Sequence, residues 1–201
     1  MTGGSATLPD ELLLRVLEHV MLGRDGKKEW RGAVRGVSRT WRALHDGACT
    51  RLHLRNGVTD EGMHALCGRL PALKTLNLNR VTSLTADGLL AVGGLTALTI
   101  LDLISCNVTD AVLRELRGLT ELSTLWLAGC TLVTDVGVRE LRDLTALRTL
   151  SLSNCTHVTD AGLQHLMSLT ALSELYLHDT STTQAGRNAL EAALPALIII
   201  G

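Results

Sequence analysis

The stretch LTALRTLSLSNCTHVTDAGLQHL, residues 144–166, decides the fold. Its couplet Leu150-x-Leu152 recurs as Leu52/Leu54, Leu76/Leu78, Leu101/Leu103, Leu125/Leu127 and Leu175/Leu177, at spacings of 24, 25, 24, 25 and 25 residues along the chain. One period held through six copies marks a stacked repeat, in which each unit packs only on its neighbours. Each couplet reads as a short parallel strand, with the leucines inward and the residues between and beside them outward. The second half of each unit reads as a helix. Thr134 and Thr159 stand where an N-cap belongs, with Asp135 and Asp160 in the first turn, where a carboxylate meets the positive helix end. Val138/Leu141 and Leu163/Leu166, three apart, then face the strands.

The unit L-x-x-L-x-L-x-x-C, with Cys106, Cys130 and Cys155 in three copies and Gly57, Val81 and Thr180 in the others, resembles the cysteine-containing leucine-rich repeat. The resemblance covers roughly residues 49–201. It implies an α/β leucine-rich-repeat solenoid of about six repeats, with parallel strands on the concave face and helices on the convex face.

Composition agrees. Hydrophobic residues make up 46% of the 201 and phenylalanine is absent, so the core must be packed from aliphatic side chains in many similar layers. A formal net charge of -1 gives no basic footprint for nucleic acid or an anionic membrane. Residues 1–7 (MTGGSAT) carry no apolar core of a signal peptide, and no run reads as a membrane span. Five cysteines, an odd number, do not read as a disulfide framework, which points to a reducing cytoplasm or nucleus. Cys106, Cys130 and Cys155 would stand on adjacent layers about 5 Å apart, without converging His or Asp, so buried structural thiols are expected rather than a metal site.

Residues 8–48 leave the repeat. Pro9 with Asp10 and Glu11 starts a helix that carries Leu12, Leu13, Val16, Leu17 and Val20 on one face, and a second amphipathic stretch runs from about Trp30 to Leu44. LPDELLLRVLEHV followed by VRGVSRTWRAL resembles an F-box, and an F-box joined to cysteine-containing repeats is the layout of the F-box/leucine-rich-repeat proteins. That resemblance implies a Skp-type adaptor and cullin complex as partner, engaged by Leu8, Pro9, Leu12, Leu13, Val16, Leu17, Val37 and Trp41, with the repeats holding a client protein for ubiquitination. In the middle, GRDGKKE (residues 23–29) stands where the family has a short apolar helix. The alternative is that these helices only cap the first repeat of a binding or scaffold protein. The expected organisation is therefore a tail at 1–7, an F-box-like helical cap at 8–48 and a solenoid at 49–201.

The register names the outward side chains that would meet a client: Arg51, His53 and Arg55; Asn77 and Asn79; Ile100, Asp102 and Ile104; Trp126; Ser151; and Glu174, Tyr176 and His178. Trp126 is the most telling, because a large aromatic on such a face is a common binding anchor. The seven histidines lie in no zinc or nucleophile spacing and no phosphate loop occurs, so a non-catalytic subunit without cofactor is expected. The ending LPALIIIG opens a seventh unit whose strand edge is either covered by the helix near 186–194 or free to pair; a monomer is expected unless it pairs.

Overall fold

The computed structural model describes residues 49–201; the expectations for residues 1–48 lie outside that range. Seven three-residue strands form one parallel sheet in chain order: β1 (Arg51–His53), β2 (Thr75–Asn77), β3 (Ile100–Asp102), β4 (Thr124–Trp126), β5 (Thr149–Ser151), β6 (Glu174–Tyr176) and β7 (Ile198–Ile200). A helix follows each of the first six: α1 (Asp60–Cys67), α2 (Ala86–Leu90), α3 (Asp110–Leu116), α4 (Asp135–Glu140), α5 (Asp160–Leu166) and α6 (Gln184–Ala193), with 3₁₀ turns extending α2 through Gly94 and α4 through Asp143. Unbroken strand order with a helix between neighbours is a one-dimensional stack.

The register places Leu52, Leu76, Leu101, Leu125, Leu150, Leu175 and Ile199 opposite one another. From Leu76 to Leu175 these leucines are fully buried, and so are the second leucines of the couplets from Leu54 to Leu177. Short strands suffice because the backbone ladder continues past them. A residue in the left-handed region turns the chain out of the sheet at Arg80, Ser105, Gly129, Asn154 and Asp179. The amides of the first four donate to Ile104, Ala128, Ser153 and His178 of the following repeat at 2.7–2.8 Å.

The cysteines close a second ladder. The thiols of Cys106, Cys130 and Cys155 donate to the carbonyls of Leu78, Leu103 and Leu127 in the preceding repeat, at 3.0, 3.2 and 3.3 Å. Burial pushes the Cys106 and Cys155 thiols up to about 11 and Cys130 to about 12, which leaves them protonated donors with little nucleophilic character.

A third ladder gives the threonine-aspartate pair a role beyond its own helix. Thr59, Thr85, Thr134, Thr159 and Thr183 each accept from an amide of their own first turn, as N-caps do. The Asp after the threonine, meanwhile, reaches into the next repeat. Asp60, Asp110, Asp135 and Asp160 each accept from both the amide and the hydroxyl of the following N-cap, Thr85, Thr134, Thr159 and Thr183, at 2.6–2.9 Å. The carboxylate fixes where the hydroxyl proton points, which frees the oxygen to accept from its own helix.

This ladder also explains four glycines. A Cβ on Gly88, Gly137, Gly162 or Gly186 would collide with Asp60, Asp110, Asp135 or Asp160 respectively. The exception supports the rule. In the second repeat Ala86 replaces the aspartate, the next N-cap Thr109 makes no side-chain cap bond, and the position that is glycine elsewhere is the fully buried Val112. Asn107 bridges this interface instead, donating to the carbonyls of Thr82 and Leu84 at 3.2 and 2.9 Å.

β7 is the last strand of the sheet and the last helix packs beside it. Only Leu190 of α6 is buried, β7 extends the sheet, and Ile198 is 61% exposed. Arg187 secures the end by hydrogen bonds to the carbonyls of Gly201 and Leu177 and to the Thr182 hydroxyl. Gln184 occupies the ladder position in α6 and donates to Asn188 within its own helix.

Two outcomes follow from the aspartate ladder. Ala86→Asp and Val112→Gly should each destabilise alone, the first by collision and the second by a cavity, yet combined they should recover about 1 kcal/mol or more of coupling in denaturant unfolding; strict additivity would refute the pairing. The Thr85 hydroxyl holds the Asp60 carboxyl below its usual range, and the Thr183 hydroxyl does the same for Asp160. Depressed folded-state values stabilise at neutral pH and the contribution is lost as pH falls through them. Thermal midpoints should therefore drop below about pH 4, and less steeply in Asp60→Asn/Asp160→Asn.

Candidate binding face

Because strand side chains alternate, every residue opposite a buried leucine's neighbour lines one continuous face. Its middle row reads His53, Asn77, Asp102, Trp126, Ser151, Tyr176 and Ile200, in register across all seven strands. A second row holds Arg51, Thr75, Ile100, Thr124, Thr149, Glu174 and Ile198. Arg55, Asn79, Ile104 and His178 stand just beyond the strand ends.

The expected outward positions are outward with one exception. Arg51, His53, Arg55 and His178 are exposed, Ile100 is 38% exposed, and Asn77, Asn79, Asp102, Ile104, Trp126, Glu174 and Tyr176 are partly covered. Ser151 is the correction. Expected to be accessible, it is 3% exposed. The cause is its two neighbours in the row. Strands two apart lie roughly 9.6 Å from each other, yet the Trp126 and Tyr176 ring centroids are 5.5 Å apart with planes tilted by 47°. The rings lean together and roof the small serine between them. A larger residue at 151 would hold them apart, so the small serine lets the rings meet.

Four polar contacts organise the flanks. Asn77 Nδ2 donates to Asp102 Oδ2 at 2.9 Å, and Asp102 Oδ1 accepts from the Ile104 amide at 3.1 Å. Asn77 Oδ1 likewise accepts from the Asn79 amide at 3.0 Å. These residues therefore shape their own turns as well as the face. At the other end the Tyr176 hydroxyl lies 3.4 Å from Glu174 Oε2, positioned to donate to it. Directly beside Trp126 in the row is Asp102; Ile100 and Ile104 lie on the diagonals. Trp126, Ile100 and Ile104 thus have a carboxylate among them.

Residues 144–167 match the family described as Leucine Rich repeat. A chain of the yeast Rad7–Elc1 complex is similar in structure, with a TM-score of 0.59 and 23% identity over 71% of this chain and 39% of that one. Internalin C2 of Listeria monocytogenes str. 4b F2365 overlays with a TM-score of 0.54 at 23% identity, covering 96% of this chain and 83% of that one. The fold is a leucine-rich-repeat solenoid. No curated protein sequence matches the chain. This solenoid spans 39% of the length of the chain it matches in the Rad7–Elc1 complex.

Among the described residues of the solenoid, no group of three or more His, Cys, Asp or Glu could hold a metal ion, and no helix is long and apolar enough to cross a membrane. The strand face was legible from the couplets alone. The contact between Trp126 and Tyr176 was not, since they lie 50 residues apart and only the register joins them.

A cysteine placed at 151 reads out the aromatic roof. In Ser151→Cys a maleimide should label that thiol slowly, and adding Trp126→Ala should speed labelling roughly tenfold or more by uncovering it. Equal rates would mean that the rings do not shield the position.

Proposed function

We propose that this chain is a protein-binding module that recruits a client to a cullin-type ubiquitin ligase. The client docks on the strand face, and residues 8–48 engage a Skp-type adaptor. The observation that carries the first half is the partly covered Trp126–Tyr176 pair on a sheet face that no other element of the described chain covers. Large aromatics with an apolar body and a polar tip supply much contact energy at low entropic cost, which is why they recur as anchors. A face of seven strands gives a strip of about 29 Å, enough for a short extended peptide or the edge of a helix.

The adaptor half rests on sequence likeness. Leu8, Pro9, Leu12 and Leu13 would open the adaptor contact, Val16 and Leu17 would continue it along the helix, and Val37 and Trp41 would close it. A chain of this same fold in the Rad7–Elc1 complex gives a precedent for such a solenoid within a protein assembly. The reading assigns no catalytic residue, and the ligase chemistry belongs to other subunits.

The test is a pull-down of the purified full chain with a Skp-type adaptor, comparing wild type with Pro9→Ala/Leu12→Ala. Retention by wild type, with a loss of about tenfold or more in the variant, is the expected result. No retention by wild type would leave the client face as a binding module whose N-terminal helices act as a cap, and would end the ligase assignment.

A further inference from the structure

The charges on the strand face are divided along the stack. Arg51, His53 and Arg55 are gathered on and just after β1, all exposed. From β3 to β6 the acidic side chains on the face and its exit turns are Asp102, Glu174 and Asp179, with no lysine or arginine in either row; Arg148 stands one residue before β5, where its carbonyl accepts from the Glu174 amide. β1 lies two strands from Asp102 and three from Trp126, roughly 10 and 14 Å, so its arginines do not neutralise the acidic stretch at close range. The aromatic pair sits inside that stretch. Asp102 is the in-register neighbour of Trp126, and Glu174 is at the Tyr176 hydroxyl.

This arrangement selects among occupants. A purely apolar segment pressed on Trp126 and Tyr176 would strip water from Asp102 and Glu174 and offer them nothing in return. An acidic segment would be repelled. A cation meets both requirements, because the faces of the indole and phenol attract positive charge and the carboxylates stand on either side of them. Arginine fits best, since its guanidinium is planar, weakly hydrated and able to stack on an aromatic face while its edge donates to a carboxylate.

We propose that the strand face between β3 and β6 seats a basic segment of the client, with an arginine or lysine laid on the outward surface of Trp126 and Tyr176 between Asp102 and Glu174. This rests on the strand face being the client surface. The rings touch each other, so the cation lies across them and not between them. Ser151 sets that surface by letting the rings close. The basic β1 end, four strands from the middle of the ring pair, would favour an acidic residue in the same segment, about six extended residues from the seated cation at roughly 3.3 Å per residue.

A library of random 12-residue peptides displayed on phage and selected on the full chain tests the proposal. Peptides carrying arginine or lysine at a fixed position should enrich. In calorimetric titration the selected peptide should bind Trp126→Leu roughly tenfold or more weakly and Trp126→Phe closer to wild type, because the ring face is the requirement. Glu174→Gln should weaken binding about threefold or more and flatten its dependence on salt. Far-ultraviolet circular dichroism of each variant confirms the fold. A selection without arginine- or lysine-bearing peptides, whether it yields others or none, overturns the cation seat. Peptides without basic residues whose binding is still lost in Trp126→Leu would leave the docking face standing. Enriched peptides indifferent to Trp126→Leu would overturn both.

Discussion

Everything in this molecule depends on the fact that one repeat cannot bury its own leucines. A strand of three residues and a helix of five to ten have apolar sides that close only against the same sides of the next unit. Stacking imposes a geometric conflict. Strands prefer to lie about 4.8 Å apart, whereas packed helices need about 8–10 Å between axes. A stack that satisfies both must open on the helix side, which leaves the strand side as the inner, concave wall. The binding face is thus a by-product of the packing problem. The same conflict favours compact outer segments, as in the second and fourth repeats, where 3₁₀ turns extend α2 and α4.

Hydrophobic layers alone would leave the spacing and register between repeats loose, because leucine columns are chemically uniform. Three polar ladders supply the specificity. Backbone amides beyond the strands join the exit turns, thiols pin one repeat to the carbonyl of the last, and aspartates clamp the N-cap of the next helix. The aspartate clamp brings the helix starts close enough to exclude a Cβ at Gly88, Gly137, Gly162 and Gly186. At the one internal junction without it, between the second and third repeats, a valine fills the space and an asparagine from the exit loop makes the bridge. A polar clamp with glycine and an apolar plug with alanine are two solutions to one contact, and the chain uses them as matched pairs.

The leucine couplets made the strand count, direction and register readable, because period 2 within a strand and a period of 24 or 25 residues between strands leave only one stacking. What escaped the reading were effects that act between repeats. Asp135 and Asp160 were legible as first-turn carboxylates; their reach to Thr159 and Thr183 depends on how neighbouring layers align. Ser151 was assigned outward by alternation, correctly for its direction, but its cover comes from rings on two other strands. A further signal was available in the chain: glycine three residues after the threonine wherever the preceding repeat carries Asp, and valine where it carries alanine.

The division of labour between the two sides explains why a binding surface can coexist with so regular a stack. Stability is held by inward leucines, by thiols and by rim aspartates, none of which lies on the strand face. Outward strand positions therefore bear little of the folding load, and side chains as different as arginine, isoleucine, tryptophan and serine occupy equivalent places there. Asp102 and Asn77 are partial exceptions, since each also closes its own exit turn. Tying a carboxylate to the backbone in this way holds it beside Trp126 without costing side-chain entropy when a partner arrives, which is the preorganisation a recognition surface needs.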